Sequence, residues 1–182
     1  MSNLNYKLML SASSIANFAA SIIGPFLVIL INQKGGGIEN LGLVFGAGII
    51  ANSLTQLLIG RLSDKLGRKP FLVISSIINA VVIISYLYVQ NLTQLYILQI
   101  VAGIDGAIWG ISETSFMADI TQKKTRGKSL GFYNMFIGIL IGIGMMIGGF
   151  AINKFGYTLI FWIVGLFSLL SAIFFWMIKE KR

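Results

Sequence analysis

The chain has 182 residues, of which 56% are hydrophobic and 11% charged, and its mean hydropathy is +0.85. Ordinary soluble domains are about 45–50% apolar and about 25% charged, so a soluble fold could not bury this much apolar surface. The composition therefore predicts an integral membrane protein that forms one domain over residues 1–182. The sequence contains neither Cys nor His, which excludes disulfides, thiolate or imidazole metal sites and a histidine general base. No cofactor or metal is expected.

Six apolar runs have the length of about 20 residues that a helix needs to cross a bilayer. A membrane β-barrel would show short alternating strands instead, so the runs predict an all-α membrane protein with six transmembrane helices. Span 1 is too long for the apolar region of a signal peptide, and Gly24-Pro25 predicts a bend in it. In chain order, spans 1 to 6 are residues 8–31, 41–60, 70–89, 94–117, 129–152 and 157–178.

The Lys and Arg residues predict the orientation, because positively charged loops stay on the cytoplasmic side. Twelve of the 14 basic residues fall at the termini or in the loops between spans 2 and 3 and between spans 4 and 5, and only Lys34 and Lys154 fall on the other side. We therefore expect a multi-pass plasma-membrane protein with both termini cytoplasmic and the loops at 32–40, 90–93 and 153–156 outside. The net charge of +8 follows from this topology and from contact with anionic lipid, so no nucleic-acid partner is expected.

An offset of 89 residues aligns the first half of the chain with the second half. Five identities occur at this offset, at the starts and ends of spans 2 and 5: Leu41/Leu130, Gly42/Gly131, Gly60/Gly149, Lys65/Lys154 and Gly67/Gly156. They indicate two three-helix repeats, at about 1–90 and 91–182, although chance is the alternative because Gly and Leu are common here. Since three is odd, the second repeat runs through the membrane inverted, as in many secondary transporters.

A basic segment, GRLSDKLGRKP at residues 60–70, lies between spans 2 and 3. It resembles the signature of the major facilitator superfamily, G-x-L-x-D-x-x-G-R-K/R in the cytoplasmic loop between helices 2 and 3. The segment ADITQKKTRGKSLG, residues 118–131, resembles that family's loop between helices 4 and 5. GMMIGG, residues 144–149, resembles the helix 5 motif of its antiporters, with Met145 in place of the usual Pro, and Gln99 stands where many members carry an Arg.

The resemblance implies a fold and a role for the basic segment. The family's fold has twelve helices in two halves, and this chain resembles the N-terminal half alone. In the family, the Arg matching Arg68 reaches an acid at the cytoplasmic end of helix 4, here Asp119, and the Asp matching Asp64 caps a helix of the opposite half. With Gly60 and Gly67 allowing a tight turn, such a cluster would hold the cytoplasmic gate shut. The alternative is an ordinary basic loop with a turn.

Span 4 contains two acids, Asp105 near the bilayer midplane and Glu113 nearer the cytoplasm. A charge at the centre of a span costs about 2.5–3.5 kcal/mol on insertion scales, so an acid without a role is disfavoured. On a helical wheel, Asp105 shares a face with Trp109 and Ser112, which we interpret as facing a cavity. Asp105 is either hydrogen-bonded to Asn or Ser of a neighbouring span, or a proton-binding carboxylate, or a counter-ion for a cationic substrate. Glu113 is a further candidate for coupling.

Other polar and small residues in the spans have two interpretations. Asn17 in span 1 and the pair Asn52 and Gln56 in span 2 either line a cavity or join helices by hydrogen bonds. Small residues favour close helix packing, as in the stripe formed by Gln99, Gly103, Gly106 and Gly110 of span 4. The same prediction applies to the overlapping G-x-x-x-G pairs of span 5, at Gly138, Gly142, Gly144 and Gly148, which are followed by Gly149.

These features predict a secondary active transporter, or half of one, that moves a small solute by alternating access under a proton, other ion or solute gradient. The alternative is a non-transporting membrane interaction protein or a split or truncated N-terminal half. An enzyme is not expected, because no nucleophile with a base, metal-ligand set or phosphate-binding loop is present. The expected partners are the bilayer, a cationic or neutral small-molecule solute, and a second six-helix half, from another chain or a second copy, that Asp105 would face.

Overall fold

The computed structural model describes residues 3–180, and no strand occurs within that range. Six segments are long and apolar enough to cross a membrane, so the predicted all-α membrane fold with six spans is confirmed. Span 1 consists of two helices, Asn3–Ile23 and Leu27–Gln33, joined by a 3-10 turn at Gly24–Phe26, where the bend was expected. Spans 2 to 6 are the helices Ile38–Leu66, Lys69–Ser85, Leu92–Ile120, Arg126–Phe155 and Tyr157–Met177. Lys181 and Arg182, which contribute to the predicted orientation, lie outside the described residues.

Several helices are longer than the apolar runs that predict them. Span 2 has 29 residues and span 5 has 30, so each is about 44 Å long, whereas the hydrocarbon core of a bilayer is about 30 Å thick. The additional turns contain the polar and basic residues beyond each apolar run. The predicted loop at 153–156 is therefore wrong: span 5 continues to Phe155, and Gly156 alone separates it from span 6.

The spans pack on one another in the order 2–4–3–6–1–5. Spans 2 and 5 stand at the two ends of this series and share no extensive contact within the described residues. If each of spans 1, 2 and 3 is replaced by span 4, 5 or 6, respectively, and the reverse, the same pairs of spans remain neighbours. For example, the pair 2–4 becomes the pair 5–1, and the pair 4–3 becomes the pair 1–6, and both are neighbours in this series. Two three-helix repeats would pack in this way.

Spans 2 and 5 end alike at positions 89 residues apart. Gly67 has φ 92° and ψ 164°, and Gly156 has φ 79° and ψ 166°. Such positive φ values favour glycine because it has no Cβ. Each glycine donates its N–H to the carbonyl four residues earlier, that of Ser63 and that of Ile152. The backbone thus supports the repeat, whose boundary near residue 90 stays a prediction.

Both termini of the described chain lie at one end of the bundle, which we call the basic end. Asn5 Nδ2 donates a 2.7 Å hydrogen bond to the carbonyl oxygen of Lys179 there. Two buried apolar clusters fill the bundle. The cluster that contains Met9, Leu72 and Phe116 is nearer the basic end, and a second cluster is nearer the opposite end. The middle of the bundle lies between them.

Candidate functional site

Asp105 lies midway along span 4, and the residue is only 5% exposed. Its Oδ1 accepts a 2.6 Å hydrogen bond from Ser75 Oγ, and its Oδ2 accepts a 3.4 Å bond from Asn79 Nδ2. Both donors belong to span 3, so the first of the three interpretations describes the contacts of Asp105. Contrary to the expectation that Asp105 faces a second half, its carboxylate is buried inside this six-helix bundle.

Asp105 also borders a cavity of about 180 Å³ between spans 1, 3, 4 and 6. Hydrogen bonds link its walls: Ser168 Oγ donates to Asn79 Oδ1 at 3.0 Å, and Ser171 Oγ donates to Ser76 Oγ at 3.1 Å. Trp109 borders the cavity as expected, whereas Ser112 is fully buried elsewhere. The polar residues that border the cavity are Asn17, Ser75, Ser76, Asn79, Asp105, Ser168 and Ser171.

A second cavity, of about 220 Å³, adjoins the first on the side of the opposite end. Ala20, Asn79 and Ala102 border both cavities. The second cavity is lined mainly by aliphatic and aromatic side chains, and it also contains a hydrogen bond of 2.8 Å from Tyr86 Oη to Gln99 Oε1. Gln99 therefore places a neutral amide, bonded to the end of span 3, where many superfamily members carry a charged Arg.

Glu113 lies two helical turns from Asp105 in the direction of the basic end. Its Oε1 accepts a 2.5 Å hydrogen bond from Tyr133 Oη of span 5. Glu113 does not border the cavity of Asp105. Its contact joins span 4 to span 5, and a role in coupling stays a prediction.

The other polar candidates divide between the two predicted roles. Asn52 Nδ2 donates a 3.0 Å hydrogen bond to the carbonyl oxygen of Gly103, which joins span 2 to span 4, and Gln56 Nε2 donates to Asn52 Oδ1 at 2.6 Å. Asn17 borders the cavity, and its amide donates to the carbonyl oxygen of Ser13 in its own helix at 2.9 Å.

The glycines of span 5 have different surroundings. Gly144 and Gly148 pack on span 1, where a Cβ on Gly148 would lie 2.5 Å from a backbone oxygen. The other three have no neighbour within 4 Å of a Cβ position: Gly138, Gly142 and Gly149. Tight packing is thus seen for the pair Gly144 and Gly148. For Gly138 and Gly142 no helix of the described chain lies against that face, so tight packing there stays a prediction.

Arg68 stands at the centre of an ionic cluster at the basic end. Its Nη2 lies 2.6 Å from Asp64 Oδ1, and its Nε lies 3.3 Å from Asp119 Oδ2. Its Nη1 also donates a 3.0 Å hydrogen bond to the carbonyl oxygen of Ser63. The side chains of Asp64 and Asp119 are 67% and 52% exposed, and exposed ion pairs contribute only about 0–1 kcal/mol. The ion pairs of this cluster would therefore contribute more to stability only where another surface shields them from water.

Glu180 is a residue of this cluster that sequence reasoning missed. Its Oε1 accepts the backbone N–H of Arg68 at 2.7 Å, and its Oε2 accepts that of Lys69 at 3.2 Å. A carboxylate is stabilised there because the first N–H groups of span 3 have no partner in the helix. The carboxylate fits there because residue 67 is a glycine: a Cβ at position 67 would lie 2.6 Å from Glu180 Oε2. The turn expected at Gly60 is wrong, because Gly60 lies within the continuous helix Ile38–Leu66, and no such close neighbour surrounds it.

Comparison with known protein families shows to which family the chain belongs. Residues 9–182 match the family model described as Major Facilitator Superfamily. The chain belongs to the Major Facilitator Superfamily. Its six spans are consistent with half of a major facilitator fold.

Similar superfamily proteins differ in how much of their length the chain covers. The uncharacterized MFS-type transporter YitZ of Bacillus subtilis is 28% identical over 156 residues, which are 86% of this chain and 95% of YitZ. The multi-drug resistance efflux pump PmrA of Streptococcus pneumoniae is 27% identical over 183 residues, 95% of this chain and 45% of the pump. The class H tetracycline resistance protein of Pasteurella multocida is 40% identical over 92 residues, 50% of this chain and 23% of that protein. The chain thus spans most of YitZ and less than half of the other two.

Within this major facilitator chain, spans 2 and 5 stand at the two ends of the packing series, and each leaves an apolar surface uncovered by the other helices. Large apolar side chains are exposed on both, including Leu54 on span 2 and Met146 on span 5. In a membrane these side chains meet lipid or another protein. Because the cluster around Arg68 lies at one end of the same bundle, a neighbouring protein at that end could cover it.

Proposed function

We propose that this chain forms one six-helix half of a secondary transporter that moves a small organic solute across the plasma membrane by alternating access. The observation that carries the proposal is the buried carboxylate of Asp105 at the edge of a polar cavity midway along a major facilitator bundle. A buried acid within a membrane span is costly and generally marks a pathway for ions or solute. The name of the efflux pump supports an exported organic solute, and the name of the tetracycline resistance protein supports an organic solute. The acid within span 4 favours a cationic or neutral solute.

In this proposal a second six-helix half completes the pathway. Major facilitator proteins pair two six-helix halves that rock against each other around a central site. The efflux pump that this chain matches is more than twice its length, which supports the need for a further half. The uncovered faces of spans 2 and 5 would meet it.

We place both termini and the basic end on the cytoplasmic side, and a cysteine scan tests this. The natural sequence has no Cys, so a single introduced thiol is the only target. In intact cells, Gln33→Cys is expected to react with an impermeant maleimide, and Lys123→Cys is expected to react only after permeabilisation, because both residues are exposed but lie at opposite ends. Gly36 is unsuitable, since its Cβ would lie 2.7 Å from Ile31. The reverse labelling pattern would overturn the orientation.

Asp105 carries the coupling proton in this proposal, and Asp105→Asn tests it. Introduced into the native host, the variant is expected to lower proton-gradient-driven transport of ethidium or tetracycline by about tenfold or more, because an amide cannot gain and release a proton. Movement of the solute down its own concentration gradient is expected to continue. Glu39→Gln, which removes an exposed acid at the opposite end, is the matched control. Undiminished gradient-driven transport by Asp105→Asn would contradict the coupling role.

A further inference from the structure

The cavity beside Asp105 lies where the two repeats meet. Three pairs of residues 89 positions apart border it: Ala16 and Asp105, Asn17 and Gly106, and Ala20 and Trp109. Asn79 and Ser168, also 89 positions apart, are hydrogen-bonded to each other across it at 3.0 Å. Equivalent residues of two repeats touch only near the axis that relates them. The cavity is therefore central to this six-helix bundle.

The size of the cavity restricts what it can bind. Pockets for drug-sized molecules measure about 300–1,000 Å³. The polar cavity beside Asp105 measures about 180 Å³, and the adjoining cavity of about 220 Å³ is lined mainly by aliphatic and aromatic side chains, so the smaller space offers more polar groups to a ligand. At about 30 Å³ for each water molecule, it holds a volume of about six waters. Because its walls come from spans 1, 3, 4 and 6 of the same bundle, rocking of one half against another would carry these walls along as one body. A small ligand fits this space.

The charge of the cavity determines the sign of the ligand. Among the residues that border it, Asp105 alone is ionisable to a formal charge at neutral pH. Its carboxylate receives hydrogen bonds only from the neutral groups of Ser75 and Asn79, the second at 3.4 Å, although a carboxylate has about four acceptor sites. Neutral donors do not cancel a buried charge, so the carboxylate is stable either with a bound proton or with a counter-charge beside it. One positive charge would balance the site.

The remaining polar groups can complete the shell of such a cation. Ser76, Ser168 and Ser171 place hydroxyl oxygens on the cavity wall, and Asn17 and Asn79 place amide oxygens there. Hydroxyl, amide and carboxylate oxygens suit hard cations. No cluster of three acidic, His or Cys residues occurs in the described part of the chain, and one carboxylate leaves a divalent ion uncompensated. The ring of Trp109 beside Asp105 adds a further surface that attracts cations.

We propose that this cavity binds one small monovalent cation, an alkali ion or a small alkylammonium, through Asp105 and the surrounding hydroxyl and amide oxygens. The site is complete within one six-helix bundle. It requires neither a second half nor a gradient, so its failure and the failure of the proposed transport are observed in different experiments.

The fluorescence of Trp109 provides the test. The chain has three Trp residues, and the other two are exposed on span 6, so Trp162→Phe and Trp176→Phe leave Trp109 as the sole reporter. The purified protein in detergent is titrated with sodium, potassium or methylammonium chloride, each replacing N-methyl-D-glucamine chloride at constant ionic strength. A saturable change in emission with any of these cations is expected. The sodium and potassium titrations test for an alkali ion, and the methylammonium titration tests for an alkylammonium ion. The absence of a saturable change in all three titrations overturns the proposal.

Three variants in the same background connect the signal to the cavity. Asp105→Asn is expected to abolish the saturable change. Ser75→Ala keeps the charge and is expected to shift the midpoint about tenfold to higher cation concentration, because it removes a hydrogen-bonding group from the carboxylate. Glu39→Gln, which removes an acid outside the cavity, is expected to leave the midpoint unchanged. An undiminished response in Asp105→Asn overturns the proposal, and so does an unchanged midpoint in Ser75→Ala.

Discussion

Gly103→Ala is expected to lower the free energy of unfolding by about 2–3 kcal/mol or more, because the substitution overpacks a closed helix contact. A Cβ at position 103 would overlap the backbone carbonyl of Gly48 in span 2. A backbone atom cannot rotate away as a side chain can, so spans 2 and 4 must separate. Their separation would also break the 3.0 Å hydrogen bond from Asn52 Nδ2 to the carbonyl oxygen of Gly103.

Gly110→Ala provides the matched control, since it makes the same change in the same helix. A Cβ at position 110 has no neighbour within 4 Å, and Ala favours a helix over Gly by about 1 kcal/mol. Thermal unfolding in detergent is expected to show a clear fall in melting temperature for Gly103→Ala and an unchanged or higher one for Gly110→Ala. Equal melting temperatures would contradict the close approach of spans 2 and 4.

Arg68→Gln is expected to lower transport by about tenfold or more while abundance in the membrane stays near that of the natural protein. The substitution removes at once the contacts with Asp64, Asp119 and the carbonyl of Ser63. These contacts join the ends of spans 2 and 4 at the basic end, where they would stabilise one conformational state more than the fold itself. Transport of ethidium or tetracycline in the native host, normalised to protein in the membrane, measures the effect.

Two further variants separate the cluster from its net charge. Lys65→Gln removes the same charge from an exposed side chain of the same segment, and it is expected to leave transport near normal. Arg68→Lys keeps the charge but is expected to restore little, because an ammonium cannot reproduce the fork that reaches all three partners. Natural levels of transport in Arg68→Gln would remove the gate role of the cluster and leave its family assignment intact.

The spans were predictable because crossing a bilayer requires about 20 apolar residues in succession, which is a property of sequence alone. The 3-10 turn at Gly24–Phe26, which interrupts the α-helix of span 1, follows from the local chemistry of Pro25 in the same way. Helix ends were less predictable, since backbone hydrogen bonding continues past the hydrocarbon core for as long as the residues permit. Span 5 accordingly runs through polar Asn153 and Lys154 until Gly156 ends it.

The site was predictable only in part, because hydropathy does not reveal which faces of two helices meet. Asp105 was conspicuous as an acid within a span, but its partners Ser75 and Asn79 depend on the rotation of span 3 against span 4. Gly103 and Gly110 stand in similar sequence, yet only the first is in close contact with another helix. The sequence indicated Glu180 only weakly, as a single acidic residue within an otherwise basic C-terminal segment.

Because both repeats border the same cavity, the side chains that face it limit how similar the two repeats can be in sequence. Ala16 occupies in span 1 the position that Asp105 occupies in span 4, and both border the same space of about 180 Å³. A carboxylate at both positions would place like charges face to face with little water to screen their repulsion. Where a duplicated unit packs against its own copy, an acid beside the shared space is favoured in one copy only, so the backbone can stay symmetric while the side chains differ.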